Sequence, residues 1–361
     1  MNKEKIIAVL SKTDDPVLNT DFVTLDFVRN ISLNGNNLSL KLGVSDNADE
    51  SVSKISDKLK SELKKSIPEI ESVNIDFVTG FTSHKDPKKM SIMPGIKNTI
   101  AVASGKGGVG KSTIAVNLAV ALSKLGAKVG LIDADIYGPS IPLMFGINKK
   151  PGVMKIGEKN MLVPLEKFGV KIMSIGFLIE NDSAVVWRGP MASSALKQFI
   201  GDVVWDELDF LLFDMPPGTG DIQLTLSQTI PLTGAIIVTT PQEISLSDAK
   251  KGYIMFERVN VPTIGIIENM SYFNNPDGSR EYIFGKEGGK KMSEEYNVKL
   301  LGEIPINTKI RIGGDKGIPV AAEDEKSETA GIFYSIAAET VKEINKMNIA
   351  SSKKQNLEIE I

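Results

Sequence analysis

The run Gly105-Lys106-Gly107-Gly108-Val109-Gly110-Lys111-Ser112-Thr113 holds the clearest chemistry in this chain. Its spacing fits G-x-x-x-x-G-K-[ST], a loop whose glycines let backbone N–H groups converge on phosphate oxygens. An apolar run ending at Ala103 precedes it, and Ile114, Leu118, Leu122 and Leu125 follow at helical spacing. A strand, a glycine-rich turn and a helix N-terminus are therefore expected in that order, with the helix dipole aimed at the anion. Lys111 is expected to neutralise the β- and γ-phosphates, and the Ser112 hydroxyl to ligate Mg²⁺. The guanine-reading pattern N-K-x-D is absent, so ATP is the expected nucleotide. Asn269, just after a strand at Thr263–Ile267, either meets the adenine or serves as a turn residue.

Two acidic loops add to this. Asp133-Ala134-Asp135 closes an apolar run from Lys128, and Asp214 closes another from Phe210, leading into Met215-Pro216-Pro217-Gly218-Thr219-Gly220-Asp221. Carboxylates at the carboxyl ends of strands lie where open α/β sheets bind ligands. Either loop alone is compatible with plain turn chemistry. Beside a phosphate-binding loop, Asp133 and Asp214 are expected to hold Mg²⁺, directly or through water, and Asp135 to orient the attacking water. The glycine-rich loop after Asp214 can sense the γ-phosphate.

These residues need a frame. From Asn98 onward, short apolar strands alternate with helical stretches: Thr99–Ala103, Lys128–Asp133, Val170–Ile175, Phe210–Asp214, Ala235–Thr239, Thr263–Ile267 and Lys299–Glu303. Continuous apolar strands spaced by helices predict an α/β fold with a doubly wound, mainly parallel sheet. Residues 1–80 read instead as a small α+β unit. A short helix over Ile6–Leu10 ends near Pro16, an extended stretch runs from Phe22 to Leu33, and Asn34-Gly35-Asn36-Asn37 marks a turn. Leu38, Leu40, Leu42 and Val44 then alternate; Val52, Ile55, Leu59 and Leu63 step at helical spacing; Val73, Ile75 and Phe77 alternate again. Residues 81–97, rich in lysine with two prolines and no periodicity, read as a mobile linker carrying an exposed His84. The expected division is 1–80, linker 81–97, ATPase domain 98–348 and flexible tail 349–361.

Composition narrows the chemistry. A length of 361 residues, at about 150 per domain, predicts about two domains. Lys+Arg 42 against Asp+Glu 45 gives a formal charge of −3, so no strong global field draws the chain to nucleic acid or anionic lipid. Neither is an expected partner. The apolar stretch near the N-terminus is too short for a signal-peptide core, and no run approaches the roughly 18 apolar residues of a membrane helix. A cytoplasmic location is expected. Cys 0 excludes a thiol nucleophile, disulfides and thiolate metal sites, and His 1 leaves Ser-His-Asp catalysis and multi-histidine metal sites almost nothing to build from.

The second lysine of the loop, Lys106, makes GKGGVGKST resemble the deviant phosphate-binding loop of MinD/ParA-type ATPases. That resemblance implies a nucleotide-sandwich homodimer in which Lys106 reaches the partner's phosphates and takes part in catalysis. Further blocks follow in order: DADIYGPSIP, WRGPMASSALKQ, FDMPPGTGD, TTPQE, ENMSYF, IFGKEGGKK and LLGEIPI. Together they closely resemble the Mrp/ApbC family of ATPases, implicated in iron–sulfur cluster assembly and transfer. The likeness covers residues 98–345, and residues 1–80 resemble the small domain that precedes the ATPase in many members. It implies iron–sulfur assembly proteins or apoprotein clients as partners. The alternative is a nucleotide-switched scaffold or positioning ATPase of the MinD/ParA kind.

The departure is specific. Many members carry Cys-x-x-Cys shortly after the ENMSYF block, so that two subunits present four thiolates to a bridging cluster. Here the stretch reads Asn274-Asn275-Pro276-Asp277-Gly278, which is favourable type I turn chemistry from Asn275 to Gly278. The Ser45–Ser51 loop, where relatives can carry a cysteine, has none. Amide and glycine cannot replace thiolates for iron, so direct ligation of an iron–sulfur cluster by cysteines of this chain is excluded.

Overall fold

A computed structural model of the chain describes residues 3–46, 49–135, 138–177, 189–324 and 326–359. Ile136, Tyr137, Trp187, Arg188, Glu360 and Ile361, on which parts of the sequence reading fall, lie outside that set. The chain forms two compact units, Met1–His84 with Val341–Ile361, and Lys85–Thr340.

In the first unit a three-stranded sheet joins Val28–Asn34, Asn37–Val44 and Ser72–Thr79. The first pair is antiparallel and the second parallel. Gly35, at φ +59°, turns the hairpin where the asparagine-rich tetrad predicts it. Along Asn37–Val44 burial alternates as the side chains do, placing Leu38, Leu40 and Leu42 inside. They meet Leu59 and Leu63 of the helix Asp49–Ser66 and Ile6 and Leu10 of the helix Lys3–Leu10 in one apolar cluster. The expected extended stretch from Phe22 is shorter than predicted. Asp21 accepts the N–H groups of Val23 at 3.0 Å and Thr24 at 2.9 Å, a side-chain turn that replaces strand until Val28.

The second unit is built on an eight-stranded sheet. Its strands are β1 (Ile96–Ala103), β2 (Val129–Asp133), β3 (Leu165–Lys167), β4 (Val170–Ser174), β5 (Leu208–Asp214), β6 (Gly234–Thr239), β7 (Thr263–Glu268) and β8 (Leu300–Glu303). The spatial order is β3-β4-β2-β5-β1-β6-β7-β8. Every pairing is parallel except β3 with β4. β2, β5 and β6 are buried along their whole length, which requires cover on both faces and explains their unbroken apolar runs. The chain passes from β1 to β2 and β4 on one side, then to β6, β7 and β8 on the other. The crossover direction therefore reverses at the carboxyl end of β1, where ligands bind in such sheets.

Three stretches differ from the sequence expectation. The expected linker 81–97 contains a short helix, Pro87–Ile92, and the start of β1, and Phe81, Thr82 and Met93 are buried. His84 is half-buried, its Nδ1 3.3 Å from Asn348 Oδ1. The expected flexible tail is helical backbone: a single helix runs Glu328–Ile359. Its lysine, glutamine and leucine content suits a helix as well as a solvated coil, and Ile349 packs on the first unit's core. Asn345 fixes the segment further, accepting from Thr82 N at 2.9 Å and donating to Gly80 O at 2.9 Å. Residues from Val341 onward accordingly belong to the first compact unit instead of the ATPase domain.

Candidate active site

Parallel register brings the acidic residues together. Asp133 of β2 lies opposite Ser174 of β4 on one side and Asp214 of β5 on the other. All three end their strands at the carboxyl edge, next to the loop that leaves β1 at Ala103. That loop needs its glycines: Gly108 and Gly110 have φ of +82° and +86°, a region costly to residues with a Cβ. Gly110 opens the helix Lys111–Lys124, so residues 105–113 wrap its N-terminus.

Lys111 reaches back from the first turn of that helix. Its Nζ stands 2.5 Å from Asp214 Oδ1, 3.7 Å from Asp135 Oδ2 and 3.3 Å from Ser112 Oγ. Lys111 and Asp214 are both buried, and a buried pair of this kind is held as much by the cost of separating it as by attraction. Asp214 Oδ2 is buried without a hydrogen-bond partner. Burial raises the Asp214 pKa, and the Lys111 charge and the Ser112 hydroxyl oppose the rise.

Asp133 is fully enclosed. Its Oδ2 accepts from Ser174 Oγ at 2.9 Å and from Ile141 N at 3.3 Å, and its Oδ1 from Asp135 N at 3.3 Å. Burial, reinforced by the Asp214 charge, pushes its pKa up to about 8. Asp133 thus keeps a proton that the unfolded chain loses near pH 4. Between about pH 4 and about pH 8 the folded state binds more protons, so this group's stabilising contribution fades as pH rises through that interval. Asp133→Asn cannot exchange the proton. In urea denaturation from about pH 5 to about pH 8, wild type is expected to lose stability relative to Asp133→Asn. Parallel pH profiles for the two proteins would contradict this protonation state.

The donor set suits a hard cation: carboxylates of Asp133 and Asp214, the Ser112 hydroxyl, and an unsatisfied buried oxygen on Asp214. Among the described residues no group of three or more His, Cys, Asp or Glu is placed to hold a metal alone. A Mg²⁺ ion here would draw its remaining ligands from water and nucleotide phosphates, as this ion commonly does.

Asn269 is committed to the loop itself. Its Nδ2 donates to Val109 O at 2.8 Å, and a Cβ on Gly110 would come within 2.3 Å of that nitrogen. One of its two amide N–H groups thereby holds the phosphate-binding backbone. Asn269→Ala removes one such bond, worth about 1 kcal/mol, and is expected to weaken ADP binding about fivefold by calorimetry. Unchanged affinity would mean that the loop keeps its shape without this residue.

Lys106, Gly107 and Gly108 are exposed at the loop's outer turn, while Val109 is buried and Thr113 half-buried in the helix's first turn. The structure thus gathers Lys111, Ser112, Asp133, Asp135, Asp214 and Asn269, and leaves Lys106 facing outward. Ser174 was not singled out from the sequence. Its only sequence signal is its place at the end of an apolar strand, and its role depends on which strand neighbours which. The 273–281 segment is a small hairpin, Phe273–Asn274 paired with Arg280–Glu281. Gly278 N donates to Asn275 O at 3.0 Å, and Gly278 has φ +84°, so the expected turn from Asn275 to Gly278 is present. Asp277 accepts from Ser279 N and Oγ at 2.8 and 2.6 Å, which lowers its pKa.

A phosphate-binding loop closing on paired carboxylates at the switch point of a parallel sheet defines a P-loop NTPase. The family model described as NUBPL iron-transfer P-loop NTPase matches residues 95–341, and one described as iron-sulfur cluster assembly protein matches residues 3–77. The chain belongs to the NUBPL iron-transfer P-loop NTPase family. Among its relatives, the iron-sulfur cluster carrier protein of Synechocystis is 42% identical over 340 residues, spanning 93% of this chain and 96% of that one. The protein of the same description from Escherichia coli K12 is 52% identical over 244 residues, 67% of this chain and 66% of that one. A nucleotide-binding protein from Archaeoglobus fulgidus, solved in complex with ADP, is 38% identical and superimposes with a TM-score of 0.58, covering 69% of this chain and 97% of that chain. The cell-division ATPase MinD of Pyrococcus furiosus is 25% identical, with a TM-score of 0.51, and covers 67% of this chain and 97% of that chain. Among the described residues no helix is long and apolar enough to cross a membrane.

Proposed function

We propose that this chain is a slow, Mg²⁺-dependent ATPase that acts as a homodimer in the assembly or transfer of iron–sulfur clusters to apoproteins. The observation that carries the reading is the buried cluster in which Lys111 stands between Asp214 and Asp135 at the end of the phosphate-binding loop. Incoming phosphates offer Lys111 a stronger set of anions than Asp214 alone, so the amine turns from carboxylate to β/γ-oxygens as nucleotide enters. With Lys111 so turned, Asp214, Asp133 and Ser112 are the groups that would hold a Mg²⁺ ion, directly or through water. Bound Mg²⁺ supplies charge neutralisation at the phosphates. Asp135, half-buried beside Lys111, orients the attacking water. Lys106, exposed at the loop's outer turn, reaches the phosphates of the opposite protomer. The relatives' description as iron-sulfur cluster carrier proteins supports the client chemistry. With no cysteine in the chain, the cluster is cargo whose thiolate ligands come from partner proteins.

ATP turnover by wild type and Asp135→Ala tests the site: a loss of about 10²-fold or more is expected in the variant, and equal activity would remove Asp135 from the mechanism. Anaerobic reconstitution with iron and sulfide tests the cargo reading. The isolated chain is expected to hold no stoichiometric cluster; a stable one would overturn that assignment.

A further inference from the structure

The hairpin Gly152–Ile156 and Lys159–Val163 stands outside the catalytic machinery. Every residue of its first strand is exposed. Val153 is 65% exposed, Met154 49% and Ile156 51%. Neighbouring side chains of a strand point to opposite faces, so apolar surface is shown on both: Val153 with Lys155 on one, Met154 with Ile156 on the other.

The two edges of this hairpin are not equivalent. The inner strand is tied to the body of its unit, with Leu162 N donating to Asp202 O at 2.7 Å and Val204 N to Leu162 O at 2.9 Å. Among the described residues no strand pairs with the outer edge of Gly152–Ile156. Gly157, at φ +60°, begins a two-residue turn between the paired residues Ile156 and Lys159. In a hairpin closed this way, the pair flanking the turn exchanges hydrogen bonds and the next pair does not. The N–H and C=O groups of Val153 and Lys155 therefore face the open edge, where an added strand would find them.

We propose that this edge docks an extended segment of a partner protein in which carboxylates alternate with apolar side chains. Charge selects the acid: Lys155 stands exposed on the outer strand and Lys149 just before it, in a chain whose formal charge is −3. Geometry selects the alternation. A strand laid along this edge presents one set of side chains beside Val153 and Lys155 and the other beside Met154 and Ile156, so an acid on the first face meets the Lys155 amine while apolar side chains on the second meet Met154 and Ile156. An edge guarded only against aggregation needs the lysines but not exposed apolar side chains on both faces.

The test uses the full chain and a capped, fluorescent eight-residue peptide of alternating glutamate and valine, with a lysine–valine peptide as control. Saturable binding of the acidic peptide alone is expected, with amide-exchange protection appearing at Val153 and Lys155. Val153→Pro removes an outward N–H without breaking the hairpin's own ladder, and should weaken binding about tenfold or more. Lys155→Glu keeps the strand and should reverse the preference between the two peptides, a result that hairpin misfolding could not produce. ATP turnover should be unchanged in both variants. Equal binding of both peptides, no saturable binding, or binding indifferent to Val153→Pro and Lys155→Glu would overturn the proposal. So would peptide-independent self-association lost in Val153→Pro, because the edge would then join two copies of this chain.

Discussion

Replacing Lys111 by alanine is expected to abolish measurable ATP turnover, a fall of about 10²–10³-fold for loss of one preorganised cationic donor at the transferring phosphate. The same change removes the buried counter-charge of Asp214, 2.5 Å away. Stranding a buried charge can cost about 3–5 kcal/mol. The penalty should be smaller here, because Asp214 is already biased toward its neutral form by burial and can take up a proton. A folded but inactive protein is therefore the expected product. Lys111→Arg should not rescue it: the amine sits in a buried slot among Asp214, Asp135 and Ser112, and a planar guanidinium is a different shape with a different donor pattern. The check is steady-state phosphate release beside thermal melting. Normal turnover in Lys111→Ala would remove this lysine from the reaction, and a collapsed melting transition would show that the pair is chiefly structural.

Gly105→Ala is expected to have the largest effect on stability of any one-methyl change in the loop. Gly105 does not need a left-handed backbone; it needs the absence of a side chain. A Cβ there would come within 2.0 Å of the Asp248 carbonyl oxygen and 2.1 Å of its carbon, both main-chain atoms of the helix Glu243–Arg258. Neither can rotate away, so the loop or the helix must move. Overpacking of this kind costs about 3 kcal/mol, which in a protein of this size lowers Tm by about 4 °C, and the displaced loop should lose ADP. Gly107→Ala is the matched control. Its Cβ would meet only Pro217 Cβ, at 3.9 Å, so the fold should tolerate it. Similar Tm values for the two variants would mean that the close approach at Gly105 is readily relaxed.

Much of the sheet was legible because of how it is covered. β2, β5 and β6 are buried on both faces, so nearly every residue in them is apolar and the runs stand out. The hairpin 152–163 gave no such signal, since its apolar residues are exposed and no burial pattern marks them. The stretch 81–84 read as linker because its partners, Asn345 and Asn348, lie far along the chain. Composition registers that a segment is polar, but not that a distant amide satisfies it. Asn269 shows the same limit within the site: the sequence placed it after a strand, and only the fold aimed its Nδ2 at Val109 O.

The phosphate-binding loop is readable from the chain alone, because glycine spacing, Lys111 and Ser112 act within a few residues of one another. The sequence also determines that no cluster can be held by the chain's own thiolates, because Cys 0 is a count and needs no geometry. It takes the assembled sheet to set Ser174, Asp133 and Asp214 side by side, to close Lys111 on Asp214, and to bury Asp133 so that its carboxyl is held well above the ordinary range. The physical reason is that parallel strands adjacent in space are separated in the chain by whole helices. Their register, and the loss of water around the charges they bring together, are properties of the assembled sheet.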